Sequence, residues 1–345
     1  MNKSLLPCLA LLLLTACTAT EQPERSPADY ILFAPPTVQM GVTESRADAH
    51  LDALPSTANF SVYGYCVPKG LTGADSWIDA EQEWGLRAPQ STADVFTGGS
   101  VILDHQGGYD NPQVWKSQTG YNADNFRYTF LAHYPTNNFT MSTGTGVPAL
   151  TLTIPSSGDI PDYMYAAAFD HRKTFGRVGL TFQHLLTSFS FQVNNYDDHP
   201  VTIKSCSLTG NFYTTVTLNF ASTTPTRSEA SGSMARTFEI FSGSHQVGQY
   251  ESHTDFLGDP IMLLPGINEA GVDKSEFGYL GSNTKIHVTY EHQGSTYTAD
   301  IDFLPINPRP GTIYTSHLNF VGNQFTLFFE SDYWEDGGDG DIIIN

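Results

Sequence analysis

The sequence predicts an all-β protein, and three features carry that prediction. Apolar and polar residues alternate in about fifteen short runs, the pattern of strands with one face on a core and one in water. The runs are rich in β-branched and aromatic residues and are bounded by Gly, Pro, Asn, Asp or Ser, which favours β-sandwiches. No stretch sustains a 3.6-residue period over three turns, and only Asp75 to Arg87, with Trp77, Ile78, Trp84 and Leu86 among acids, predicts one short helix. No fixed-period repeat is present, which argues against solenoids and propellers.

Taken in order, the chain opens on an address. Lys3 supplies a positive start, and Leu5 to Leu14 form an apolar run interrupted by Pro7 and Cys8, too short to span a bilayer. The following Leu14-Thr15-Ala16-Cys17 resembles the lipobox of bacterial lipoproteins. That resemblance implies lipidation of the Cys17 sulfur, with acyl chains such as palmitate, and cleavage between Ala16 and Cys17. Residues 1–16 are then a signal peptide; the alternative is an ordinary secretory signal with an incidental cysteine. Residues 17–29 read as a lipidated tether, since Thr18 to Pro27 is polar and holds two prolines. Loss of residues 1–16 removes Lys3 and no acid, so the formal charge of −20 becomes −21.

Two β-sandwich domains are expected beyond the tether, in keeping with a chain of 345 residues. The first covers residues 30–172, with runs such as Phe60 to Tyr65, Phe126 to Phe130 and Leu150 to Ile154. The second covers 173–345, with Phe189 to Val193, Val201 to Ile203, Ile286 to Tyr290 and Phe325 to Phe329. The division falls in the charged turn Phe169 to Gly176. Polar stretches at 105–125, 221–235 and 243–258 read as loops.

Composition narrows the function classes. Hydrophobic residues make up 40% and aromatics 12%, enough to bury a core and exclude disorder. With 36 acids against 16 basic residues, the chain is unsuited to nucleic acid or to electrostatic docking on an anionic bilayer. After Cys17 only Cys66 and Cys206 remain; both lie in strand-like runs and are expected as separate buried thiols.

Catalytic signatures are missing. There is no Gly-x-Ser-x-Gly elbow, no phosphate-cradling loop, and no H-E-x-x-H or H-x-H among eleven histidines. His184 reads as a core or edge histidine rather than a ligand. The tail acids Asp332, Glu335, Asp336, Asp339 and Asp341 alternate with glycines but lack the spacing of an EF-hand loop. Glu251, Asp255 and Asp259 near Phe256 have no spacing that singles out a glycosidase pair. Trp77, Trp84, Trp115 and Trp334 suit either sugar stacking or a core.

Asp162-Tyr163-Met164-Tyr165-Ala166, the run Val178 to Val193 with Phe182, His184 and Leu186, and the lead-in Arg309-Pro310-Gly311-Thr312-Ile313-Tyr314-Thr315 together resemble the fimbrillin family. These are lipoprotein precursors of type V pili. The resemblance implies two transthyretin-like β-sandwich domains in tandem and assembly by strand exchange. A protease cut after an arginine frees a first strand, and a neighbouring subunit's strand fills the groove. Here the removable strand is expected within Tyr30 to Val42, with Ile31, Phe33 and Val38 as its apolar residues. Arg46 is the cleavage candidate and Arg25 the alternative. Pro35-Pro36 interrupts that strand, because proline has no N–H to donate. Ile342 to Ile344 read either as a donor strand or as a last strand of their own sandwich.

The expected function is a structural or adhesive pilus subunit at the outer membrane or cell surface, without enzymatic activity or cofactor. Its expected partners are other fimbrillin-like subunits, the outer membrane through the lipid, and a host protein or glycan. The alternative is a monomeric surface lipoprotein that binds glycans through sandwich loops. Cys17→Ser should abolish lipidation and maturation; mass spectrometry of the membrane fraction checks this, and normal membrane retention of the variant would refute it.

Overall fold

The computed structural model describes residues 29–39, 53–55, 58–68, 93, 95–102, 113–116, 126–142, 148–221, 224–228, 230–252, 254–266, 284–303 and 308–333. Among them the fold is all-β, with no α-helix. The strands form three sheets. The first contains β1 (Thr37–Val38), β2 (Asn59–Pro68), β3 (Phe96–Ile102), β4 (Phe126–Tyr134), β7 (Met164–His171) and β8 (Thr181–His184), in the order β1-β8-β7-β4-β2-β3. The second contains β5 (Phe139–Met141), β6 (Ala149–Thr153), β10 (Val201–Asn219), β11 (Thr226–Arg227), β12 (Ser231–Val247), β14 (Lys285–His292) and β15 (Ser295–Asp302). The third has the order β13 (Ile261–Leu263), β9 (Thr187–Asn195), β16 (Thr312–Val321), β17 (Gln324–Tyr333).

Strand β10 organises the second sheet. Its 19 residues extend roughly 60 Å at the usual strand rise. Val201 to Thr209 pair with β14, and Thr215 to Asn219 pair with β6 along the same edge. The opposite edge pairs with β12 from Val201 to Thr215. Apolar residues on this frame build two cores. One lies against the third sheet and contains Phe189, Phe191, Val193, Ile203, Leu208, Val288 and Phe320. The other joins Leu150, Leu152, Val216 and Leu218 to Tyr65 and Leu131 of the first sheet.

The first sheet carries a third core on its other face, around Phe60, Val62, Phe96, Phe130 and Phe182. Strand β4 is therefore buried on both faces, with eight of its nine residues inaccessible. Even Arg127 is buried, held by an ion pair to Asp170 at 3.2 Å. Pairing crosses the expected 172/173 division three times, since β8 pairs with both β1 and β7 and β10 pairs with β6.

Local chemistry explains several connections. Two-residue hairpins at Gln293-Gly294 and Gly322-Asn323 use positive φ at both positions, which matches the twist of the flanking strands. Gly311 likewise has φ 67°, and its N–H donates to Leu186 O at 2.8 Å, so the Pro-Gly lead-in delivers the chain into β16 beside β9.

The structure corrects one expectation about loops. Residues 231–235 and 243–247, within the segments read as loops at 221–235 and 243–258, belong to β12, and Thr226–Arg227 form β11. Strand β12 holds several Ser and Gly residues and exposes most of its side chains, and only around Phe238 and Ile240 does it alternate between apolar and exposed positions. The helix expected at Asp75 to Arg87 lies outside the described residues. Cys66 and Cys206 lie in separate cores and form no disulfide with each other, and burial pushes the Cys206 thiol up to about 12.

His133 of β4 is also buried, packed on Phe139 with ring centroids 4.4 Å apart and bonded through Nδ1 to Pro135 O at 2.9 Å. Burial lowers this imidazole from 6.5 to about 4, against the smaller opposing effect of the Pro135 carbonyl. The unfolded chain thus takes up a proton near pH 6.5 that the folded chain refuses until about pH 4. Its contribution is complete above pH 6.5 and is lost as the pH falls through that window, by up to about 3 kcal/mol. Urea midpoints measured between pH 7 and 4.5 should fall less steeply for His133→Phe than for the parent chain; parallel profiles would refute the assignment.

Candidate functional site

The segment 29–39 lies along the first sheet and closes its third core. At its start, Ile31 N–H donates to Gln113 O at 2.8 Å and Trp115 N–H to Asp29 O at 3.0 Å. The segment then runs parallel to residues 178–182. Val178 N–H donates to Leu32 O, Ala34 N–H to Val178 O, Thr37 N–H to Leu180 O and Gln39 N–H to Phe182 O, at 2.8–3.0 Å. Among the described residues, strand β1 within it is an edge strand, paired only with β8.

Pro35 and Pro36 have a definite place in this arrangement. Phe33 is opposite Val178, whereas Thr37 is opposite Thr181, so the register shifts by one residue across the two prolines. In a strand a one-residue shift exchanges the two faces. Ile31 and Phe33 point into the core before the shift, and Val38 points into it after the shift. The prolines occupy the stretch where no ladder bond is made, and the N–H groups of Ala34 and Thr37 on either side donate to the neighbouring strand.

Burial of the segment is nearly complete where it matters. Ile31 is 0%, Phe33 1% and Val38 7% exposed. The Phe33 ring sits edge-on to Phe60, Phe96 and Phe130 at centroid distances of 5.9, 5.7 and 5.7 Å. Each of the three side chains contributes about 1.5–3 kcal/mol by removal from water. Polar groups add orientation: Arg177 Nη1 donates to Phe33 O at 3.3 Å, and Lys173 Nζ lies 3.5 Å from Asp29. The site is thus an apolar groove with an exposed-edge hydrogen-bonding ladder, filled by the chain's own N-terminal segment.

A second surface lies at the ends of β9, β10, β14 and β16 away from the first sheet, here termed distal. Four turns meet there, and Tyr196, Tyr250, Tyr297 and Val321 are exposed at or beside them. The only other large exposed hydrophobic residue among the described residues is Phe175.

The model of a family described as fimbrillin-like matches residues 82–330. The chain belongs to the fimbrillin-like family. Among solved structures, a fimbrial protein from Bacteroides vulgatus is 16% identical and superposes with a TM-score of 0.58, covering 89% of this chain and 99% of its own. A tip fimbrial protein from Porphyromonas gingivalis, truncated at its C-terminus, is 10% identical with a TM-score of 0.33, covering 81% of this chain and 94% of its own. No curated protein matches the sequence.

The groove of this fimbrillin-like chain brings together the three residues named from sequence for the first strand, Ile31, Phe33 and Val38. Ala16, Cys17, Arg25 and Arg46 lie outside the described residues, as do Trp77, Trp84 and Trp334. Trp115 fills the core, stacked on His171 at 5.8 Å. His184 is a buried partner of Asp162, with Nδ1 to Oδ2 at 2.8 Å. Glu251, Asp255 and Asp259 are exposed on surface turns.

Sequence reading missed the other half of the groove. Val178, Leu180 and Phe182 stood out as an alternating run, but nothing local marked them as the partner of a segment 144 positions earlier. Phe33→Ala should lower stability by about 3–5 kcal/mol. The loss should appear in urea unfolding, and as faster amide exchange at Val178, whose N–H donates to Leu32 O, and at Phe60 to Val62; a variant with unchanged exchange there would refute the closing role of Phe33.

Proposed function

We propose that this chain is a structural or adhesive subunit of a surface pilus, exported as a lipoprotein on Cys17 and assembled by strand exchange at the N-terminal groove. The observation that carries the reading is the seating of Ile31, Phe33 and Val38 at a sheet edge, where backbone ladder bonds and alternate apolar side chains hold one short segment. That is the chemistry of β-augmentation, in which the ladder supplies affinity and the pockets supply specificity. A strand of a second subunit satisfies the same donors, acceptors and pockets. Membership of a fimbrillin-like family supports a subunit role rather than a catalytic one.

The position of the cut matters. A cut after Arg46 severs residues 29–39 from the rest of the chain and leaves them held only by non-covalent contacts. A cut after Arg25 leaves them attached, so Arg46 is the cleavage that opens the groove. The reading includes two tandem sandwiches, 30–172 and 173–345, an outer-membrane lipid anchor for the precursor, and other fimbrillin-like subunits as partners. A second reading, glycan binding by a monomeric lipoprotein, is favoured by the exposed Tyr196 and Tyr250 on the distal turns, since aromatic faces stack on sugar rings.

Protein recovered from its native surface should begin at Ala47 and carry no lipid, as read by intact-mass and N-terminal peptide mass spectrometry. It should also run as oligomers that persist without heating. A start at lipidated Cys17 throughout, with a monomeric protein, would overturn strand exchange and leave the glycan-binding reading.

A further inference from the structure

Large exposed hydrophobic side chains occur in two places among the described residues. One is Phe175, 61% exposed, in the turn that follows β7; the other is the group Tyr196, Tyr250, Tyr297 and Val321 on the distal turns. Strand β7 starts at the Leu185-Leu186 connection, where Met164 pairs with His184, and runs away from it to His171. Strand β9 leaves the same connection and ends at Asn195. The Phe175 turn therefore lies at the far end of the first sheet from that connection, and the distal turns lie at the far end of the third.

Phe175 is exposed yet held. Its N–H donates to Arg172 O at 2.9 Å, and the Gly176 N–H donates to Lys173 O at 3.0 Å. Its ring meets His171 edge to face at 5.7 Å, and the Arg172 guanidinium lies 5.4 Å from its centroid. An aromatic fixed beside an arginine loses little freedom when a partner covers it, and such pairs dominate the energetics of interfaces. The distal tyrosines are fixed in the same way: the Tyr250 N–H donates to Asp197 O at 3.1 Å, and Asn195 Nδ2 donates to His199 O and Gly248 O, each at 2.8 Å.

The two places carry opposite charge. Around Phe175, four cations (Arg127, Arg172, Lys173 and Arg177) stand against two acids, Asp29 and Asp170. A cationic surplus is unusual in a chain with 36 acids and 16 basic residues. Around Tyr196 and Tyr250, Asp197, Asp198 and Glu251 stand beside His199, while Lys204 is matched by Glu291 at 3.0 Å. Acids are in surplus there whether or not His199 is protonated. Loss of residues 29–39 sharpens the contrast, because it takes Asp29 from Lys173 and the Phe33 carbonyl from Arg177.

We propose that Phe175, Arg172 and Lys173 of one copy dock on the Tyr196 and Tyr250 surface of a second copy, as a side-chain contact in addition to the exchanged strand. The inference rests on the subunit reading given above. The occupant is another copy because the cationic turn adjoins the groove that a second copy's strand enters, and because the opposite end of the same chain carries the complementary charge. Aromatic rings supply the apolar centre of the contact, and the charges around them steer the approach and fix its register. Two unlike surfaces that fit each other give a head-to-tail contact, which propagates a filament when its rotation does not close.

The test uses oligomers recovered from the native surface and a carbodiimide, which joins an amine to a carboxylate in direct contact with it. Peptide mass spectrometry should find Lys173 joined to Asp197, Asp198 or Glu251 in the oligomers, and to none of these in the uncut monomer, where Asp29 is its neighbour. Phe175→Ala and Lys173→Glu should each lower the yield of oligomers roughly fivefold or more, with the N-terminus still at Ala47. Adding Asp198→Lys to Lys173→Glu should restore the yield, a result that misfolding cannot give. Parental yield in both single variants, without the crosslink, overturns the end contact and leaves strand exchange standing. Crosslinks from Lys173 to other carboxylates of the neighbour overturn the distal turns as the docking surface. A parent chain that stays monomeric on a lipidated Cys17 overturns the subunit reading and this contact with it.

Discussion

A sheet that is apolar on both faces must be covered twice, and the first sheet of this protein is such a sheet. Strand β4 sets the requirement, because Phe126, Tyr128 and Phe130 point to one side while Leu131 and His133 point to the other. One face is covered by β5, β6 and the end of β10, which form an ordinary sheet-on-sheet contact. The other face is covered, among the described residues, by pieces without a sheet of their own: the segment 29–39, Leu54 and Trp115. Those pieces are short, and Phe33 alone touches three rings of the core. Removing the N-terminal segment therefore bares a large apolar surface together with the edge of β8. A surface of that kind binds another strand or aggregates.

The sequence was most legible where one face of a strand is wet. Strands β14 and β6 alternate as expected, and the buried positions follow the apolar residues. It was less legible where a strand is buried on both sides. Phe126 to Phe130 reads as half-exposed, yet Arg127 and Thr129 are as inaccessible as their neighbours, and the ion pair to Asp170 helps make the charge tolerable. Strand β12 was unreadable for the opposite reason: most of its side chains are solvated, and its place is fixed by backbone pairing with β10, which leaves no mark on side-chain chemistry.

The candidate sites divide in the same way. Ile31, Phe33 and Val38 were visible as apolar residues in a strand-like stretch. The register shift that turns all three inward was not, because Pro35-Pro36 reads as an interruption rather than as a change of face. On the distal end, His292 meets His199 only because β14 pairs with the first half of β10. Long-range register, rather than local propensity, assembles both places.

Strand β10 serves as a frame for two of the three cores, and this has a mechanical meaning. A pull directed along β10 runs parallel to its ladders with β6, β12 and β14, whose hydrogen bonds lie across the strand. Bonds loaded in shear bear the force together, whereas bonds at a peeling edge break one after another. The same molecule is thus stiff along its central strand and weak at the edge strand β1, so tension spares the frame while a displaced strand needs only to peel.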